Sequence, residues 1–204
     1  MTMRPKLAFW FEFASTYAYL TAMRIEAAAN ACGVDIVWRP MVLGPIFKGQ
    51  GWDTTPFNIY PAKGRYMWRD IDRLAAAQGL PPVVRPDPFP QHSLLAARIA
   101  MAGIDASWLA AFVRGVFNAE YAEGRHISDP AEMASILEAL GLDASALIKR
   151  AGTQETKDAL RYATSEAADL GIFGAPSFVT EDGELFWGDD RLDAALAWAV
   201  KPGA

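Results

Sequence analysis

Three short segments of the chain carry residue types that suit chemistry. The first centres on Ser15 in Phe13-Ala14-Ser15-Thr16-Tyr17. An alternating apolar stretch ends just before it, and a stretch rich in Ala, Leu, Met, Arg and Glu begins just after it. A hydroxyl at such a junction faces unpaired backbone N–H groups and the positive end of a helix dipole, a place that holds anions. The plainer role is a helix cap. The second segment is Gly174-Ala175-Pro176-Ser177. Proline at a strand start is tolerated at an edge or a special turn. A cis Ala175–Pro176 bond would present the N–H and C=O of Ala175 to a ligand, and a trans bond would be a plain strand entry. The third is Asp189-Asp190-Arg191 beside Trp187 and Gly188. Opposite charges at a helix start suit an amino-acid zwitterion, or form an exposed ion pair of little energetic weight.

Other chemistry finds no support. Zinc-protease, phosphate-loop, dinucleotide and nucleophile-elbow motifs are all missing. The two histidines are His92 and His126, and Glu123-Gly124-Arg125-His126 is a lone copy of a spacing that di-iron sites need twice. No metal is expected. Cys32 is the single cysteine, which excludes an intramolecular disulfide; it is expected to pack as a small hydrophobe in the last turn of the first helix. A net charge of −5 argues against nucleic acid as a partner. No apolar run approaches the roughly 18 residues of a membrane span, and Glu12 interrupts the only apolar stretch near the start. The expected setting is cytoplasmic, with no membrane partner. With 52% apolar and 21% charged residues over 204, the chain reads as one globular domain, or one with a large insertion.

The elements that must position these segments are legible in outline. Leu7, Phe9, Phe11 and Phe13 alternate with Lys6, Ala8, Trp10 and Glu12, the period of a strand. A helix over 18–31 follows, stopped by Gly33. Val34, Ile36 and Trp38 begin a second strand that ends at Pro40, and strand–helix–strand implies a right-handed parallel unit. Residues 40–60, broken by Pro and Gly but holding Phe47, Trp52 and Phe57, read as a long loop covering a site. Helices are predicted over 62–78, 91–102, from Asp105 or Ser107 to about Tyr121, over 131–140 after Asp129-Pro130, from Asp143 to Arg150, and from Thr153 to Gly171. Glu166 and Asp169 read as a solvated face. Residues 177–180 and 184–187 flank Asp182-Gly183, a hairpin signal, and a last helix covers 192–200. The fold class is α/β, with parallel strands from the front and an antiparallel pair from the back in one mixed sheet.

Four stretches together resemble the glutathione-dependent 2-hydroxychromene-2-carboxylate isomerases and the related kappa-class glutathione transferases. They are Phe13 to Tyr19, Pro61 to Met67, Gly171 to Pro176 and Trp187 to Leu192, and the resemblance runs from about Leu7 to Val200. It implies a thioredoxin-like mixed sheet with an inserted all-helical subdomain, as in the DsbA oxidoreductases. The sheet domain would comprise 1–45 and 153–204, and the helical insertion 46–152. The resemblance makes Ser15 the catalytic serine that hydrogen-bonds the glutathione sulfur. Ala175 and Pro176 would pair with the cysteinyl unit, and Trp187, Gly188, Asp189, Asp190 and Arg191 would take the γ-glutamyl end. Lys63 would lie near the glycyl carboxylate or the substrate. Family members commonly have proline after the serine and asparagine nine residues before the lysine; here these are Thr16 and Thr54, and Asn58 stands closer to Lys63 as a substitute. A homodimer is implied by the resemblance alone.

The implied chemistry is cis–trans isomerisation of 2-hydroxychromene-2-carboxylate or a similar aromatic-degradation intermediate. Thiolate is the nucleophile, and a serine hydroxyl with a helix N-terminus lowers the thiol pKa of bound glutathione without a protein cysteine. Lys63 or Arg65 would meet a substrate carboxylate. Trp10, Phe47, Trp52, Phe57 and Tyr60 would wall its ring, each with core packing as the plainer role. Two other readings stand beside this one: a kappa-like transferase, and a non-catalytic protein binding glutathione or peptide. Thiol–disulfide exchange would need cysteine where Ser15 stands.

Overall fold

The computed structural model describes residues 4–201. Its sheet starts from β1 (Lys6–Phe11), which lies between β2 (Asp35–Pro40), parallel to it, and β3 (Ser177–Thr180), antiparallel. A short β4 (Leu185–Trp187) completes the order β2-β1-β3-β4. Phe9 stands opposite Trp38 on one side and Phe178 on the other. The hairpin between β3 and β4 turns at Gly183, whose φ of 87° a residue with a Cβ rarely adopts. The mixed sheet and its strand directions are those expected.

Between β1 and β2 runs α1 (Thr16–Cys32), closed by Gly33 in the left-handed region. Seven helices separate β2 from the long α9 (Gln154–Asp169). They are α2 (Leu43–Gly49), α3 (Pro56–Ile59), α4 (Pro61–Ala77), α5 (Leu94–Ala102), α6 (Leu109–Tyr121), α7 (Pro130–Ala139) and α8 (Ala144–Ala151). A single 3₁₀ turn, Asp189–Arg191, leads into α10 (Leu192–Ala199).

Both faces of the sheet are covered. Leu7, Phe9, Phe11, Trp38 and Phe178 belong to a core shared with α1, α10 and the helices α4 to α8. Ala8, Trp10, Val179 and Leu185 face the other way, onto Ile46 of α2 and Ala163 and Ala167 of α9. This is why β1 has no solvent face past Lys6: Trp10, and Glu12 just after the strand, are buried like the phenylalanines they alternate with. Each large side chain so buried stabilises the fold by about 1.5–3 kcal/mol.

Local signals account for most boundaries. Asp129 accepts from the Ala131 N–H at 2.8 Å, with Pro130 at the first helical position. Asp143 and Thr153 cap α8 and α9 in the same way. Several expectations are corrected. Residues 40–60 are not one loop: α2 carries Pro45 in its first turn, and Thr55-Pro56 opens α3. The helix predicted from residue 91 begins at Leu94, because Gln91 is spent on the backbone of Arg125 and Ile127. The next begins at Leu109 without a side-chain cap; the Trp108 ring packs on Gly103, where a Cβ would come within 2.0 Å of it. Cys32 is exposed, as are its neighbours Asn30 and Ala31, because α1 runs past the core before Gly33. Glu166 is not on a solvated face: it pairs with Arg39, whose guanidinium lies 4.6 Å from the Trp10 ring centre. Among the described residues no helix is long and apolar enough to cross a membrane, and no cluster of three His, Cys, Asp or Glu offers a metal site.

Candidate active site

The end of β1 turns through Glu12 to Ala14 and delivers Ser15 to the start of α1. The Ser15 N–H donates to the Glu12 carbonyl at 3.0 Å, and Ser15 has extended backbone angles, φ −94° and ψ 114°. Its Oγ accepts from the Ala18 N–H at 3.2 Å, so it does cap the helix. It also donates to the Ala175 carbonyl at 2.9 Å. The Ala175–Pro176 bond is cis, as are Asp87–Pro88 and Phe89–Pro90. The N–H groups of Thr16, Tyr17 and Ala175 have no hydrogen-bond acceptor among the described residues.

These groups open onto a cavity of about 940 Å³. Ala14 and Ser15 line it from the turn before α1, Thr16 and Tyr17 from its first turn, Gly174 and Ala175 from the turn before β3, and Trp187 to Asp190 from the end of β4 and the turn after it. Gly174 is there for closeness: a Cβ would stand 2.6 Å from the Trp187 indole nitrogen. Gly188 has φ of 112°, and a Cβ would meet the Asp190 carboxylate at 2.6 Å. The cavity's far wall is the face of α4 carrying Lys63, Tyr66, Asp70 and Leu74.

The four acidic and basic residues expected at the site separate into roles. Asp189 is buried, and its carboxylate accepts from Thr21 at 2.8 Å and from Arg24 at 3.1 and 3.2 Å. Its backbone carbonyl takes a further bond from Arg24 at 2.6 Å. That carboxylate ties the 3₁₀ turn to α1. Asp190 is exposed on the cavity wall and pairs with Arg191 at 3.3 Å; Arg191 points away from the lining. Lys63 lines the cavity, with its ammonium 4.8 Å from the Tyr60 ring centre and no carboxylate partner among the described residues. Asn58 lies outside the lining and donates to Thr54 at 3.1 Å and to the Phe89 carbonyl at 3.4 Å. Arg65 and Pro176 are also outside it.

Of the rings expected to wall a substrate, Phe47, Trp52 and Phe57 do line the cavity. Trp10 does not: it lies under Arg39 on the far side of the sheet. Tyr60 stands exposed outside the lining, beneath Lys63. Phe89 and Phe173 complete the wall instead, and Phe173 packs on Trp187 with ring centres 4.8 Å apart.

Two features were not anticipated. The Tyr17 hydroxyl donates to Asp70 at 3.1 Å, and burial together with that carboxylate pushes its pKa up, so the phenol stays a neutral donor. The signal is the α4 pattern, since Lys63, Tyr66, Asp70 and Leu74 recur at helical spacing in a stripe beside the core residues Met67, Ile71 and Ala75. The second is Glu12. It accepts from the Ala14 N–H at 3.3 Å, from the Leu43 N–H at 2.9 Å and from the Ser93 hydroxyl. One buried carboxyl thereby joins the loop before Ser15 to the starts of α2 and α5. Burial raises its pKa against those hydrogen bonds, and it raises that of its fully buried neighbour Glu120 further.

A family model described as a DsbA-like thioredoxin domain matches residues 6–197. The chain belongs to that family. The DsbA-like chain is 30% identical to a 2-hydroxychromene-2-carboxylate isomerase of Sphingobium xenophagum, over 94% of its own length and 96% of that protein's. It is 25% identical to glutathione S-transferase kappa 1 of Rattus norvegicus, over 92% of this chain and 87% of the transferase. A solved 2-hydroxychromene-2-carboxylate isomerase superposes with a TM-score of 0.84 at 27% identity, covering 95% and 93% of the two chains. In this DsbA-like chain the residue at the start of α1 is Ser15, a hydroxyl that cannot take part in thiol–disulfide exchange.

Proposed function

We propose that the protein is a glutathione-dependent cis–trans isomerase acting on 2-hydroxychromene-2-carboxylate or a similar aromatic carboxylate. The observation that carries this reading is the Ser15 hydroxyl at the open N-terminus of α1, in contact with the cis-proline turn. The curated relatives named 2-hydroxychromene-2-carboxylate isomerase support the reaction, and the kappa transferase supports the tripeptide.

The residues present fit glutathione. Unpaired N–H groups of Thr16 and Tyr17 suit a sulfur anion at the positive end of a 17-residue helix. The Ala175 N–H and C=O suit the cysteinyl backbone. Asp190 suits the γ-glutamyl ammonium, and Lys63 suits a carboxylate. Bound there, glutathione supplies a thiolate that adds to a conjugated double bond and leaves after rotation, so it is not consumed.

The chain's own contribution is electrostatic and steric. The Ser15 hydroxyl has one proton, held by Ala175 O in this structure. An incoming amide that donates to Ala175 O releases that proton toward the sulfur. The Ala18 N–H keeps the Ser15 oxygen in place throughout. Tyr17, whose proton is held by Asp70, presents its phenol oxygen as an acceptor for a hydroxyl of the substrate. Phe47, Trp52, Phe57, Phe89 and Phe173 exclude water around a flat ring.

Conversion of 2-hydroxychromene-2-carboxylate, followed by absorbance with and without glutathione, tests the proposal. Turnover that saturates with glutathione and leaves its concentration unchanged supports it. Turnover indifferent to glutathione overturns it. Stoichiometric loss of glutathione with other electrophiles would mark the kappa-like transferase instead, the reading that the rat relative favours. A homodimer is part of the proposal, and sedimentation equilibrium measures it.

A further inference from the structure

A second cavity, of about 580 Å³, lies behind α2. Its floor is apolar, formed by Val42, Ile46, Leu94 and Leu160. Its charges are all of one sign: Arg98 from α5 and Lys157 and Arg161 from α9 line it, and no carboxylate does. That is a local reversal in a chain of net charge −5. Arg161 is paired with Asp158. Arg98 and Lys157 make neither an ion pair nor a side-chain hydrogen bond among the described residues, and the Arg98 Nε is buried without a partner. A guanidinium stays charged at any physiological pH. Native folds seldom leave part of one buried and unpaired without something to complete it. The wall between the two cavities is α2, which turns Leu43 and Phe47 to one and Pro45 and Ile46 to the other.

We infer that this cavity is a second ligand site, for an aromatic molecule carrying a single carboxylate. The apolar body would rest on Ile46, Leu94 and Leu160. The carboxylate would meet the fork of Arg98, whose flat array of donors matches two carboxylate oxygens, with Lys157 beside it. Besides the cations the lining holds two hydroxyls, Ser165 and Thr164, and the Thr164 hydroxyl already accepts from the Val42 N–H at 3.2 Å. The volume suits a body of one or two rings. The inference does not depend on the reaction proposed for the other cavity.

Calorimetric titration of the full chain with 1-naphthoate tests it, alongside the neutral isostere 1-naphthalenemethanol. The Lys63→Met variant removes the cation of the other cavity. The expected result is saturable 1-naphthoate binding that persists in Lys63→Met and is at least about tenfold weaker in both Arg98→Met and Lys157→Met. The alcohol should bind no better than those two variants bind the acid. Lys157 lies on the partly open side of α9, so its variant keeps the test valid if Arg98→Met fails to fold. Binding that is absent, that disappears in Lys63→Met, that is unchanged in Lys157→Met, or that is equal for the alcohol overturns the inference.

Discussion

The Ser15 hydroxyl donates to the Ala175 carbonyl oxygen at 2.9 Å, joining two points of the chain that are 160 residues apart. The Ser15 Oγ also accepts from the Ala18 N–H, so one side chain both starts α1 and latches the proline turn onto it. Cap and catalyst are therefore not alternatives at this position. The cap uses a lone pair of the oxygen, and the chemistry uses its proton.

Adjacent aspartates should behave oppositely. Asp189→Ala leaves Arg24 and Thr21 without their acceptor in a buried setting, and should cost about 3 kcal/mol of stability. Asp190→Ala removes an exposed ion pair worth under about 1 kcal/mol. It should leave the melting temperature nearly unchanged and weaken glutathione about tenfold. Thermal melts and glutathione calorimetry on both variants check this. Normal glutathione binding by Asp190→Ala would move the γ-glutamyl end elsewhere.

Lys63→Met should raise the KM for a carboxylate substrate roughly tenfold or more, with kcat and stability little changed, because the ammonium makes no ion pair among the described residues. Steady-state kinetics over a range of substrate concentration measures the split. An equal fall in kcat and kcat/KM would mean that Lys63 acts on the transition state.

The buried acids beneath the site should make stability fall as pH rises. Burial, with the neighbouring Glu12 charge, raises the Glu120 pKa well above 4.5. The folded chain then holds a proton that the unfolded chain has lost, so stability declines from the ordinary carboxyl range upward. Glu120→Gln cannot ionise. It should gain about 1 kcal/mol or more over the wild type at pH 8, and the gain should vanish near pH 4. Urea unfolding at the two pH values reads this difference; a gain of the same size at both would assign it to packing.

Much of this arrangement was legible because it rests on local signals. Ser15 follows an alternating stretch and precedes a helical one, Asp182-Gly183 separates two β-like runs, and Asp129-Pro130 is a helix start on its face. Thr55-Pro56 is the same kind of start, hidden because the segment around it is so rich in Pro and Gly that a loop was the natural reading. What the sequence could not show depends on contacts distant along the chain. By its period alone Glu12 falls on the polar side of a strand, since nothing local says that helices cover both faces. Glu166 finds Arg39 across 127 residues, and Asp189 is drawn inward by Arg24 and Thr21 from another element. Trp10 and Phe47 are both aromatic residues near the site in sequence, yet only tertiary packing sends one to the core and the other to the cavity.

The central claim is that Ser15 donates to the sulfur of bound glutathione. Ser15→Ala should lose roughly 0.5–2 kcal/mol of stability through the cap and should still bind the tripeptide, since the N–H groups at the helix start remain. The direct measurement is thiolate ultraviolet absorbance against pH, with saturating glutathione, for wild type and Ser15→Ala. The account predicts that the bound thiol titrates roughly one to two pH units higher in the variant, the loss of one charge-assisted hydrogen bond. Superimposable titration curves together with a lowered melting temperature would contradict it and leave Ser15 a helix cap alone.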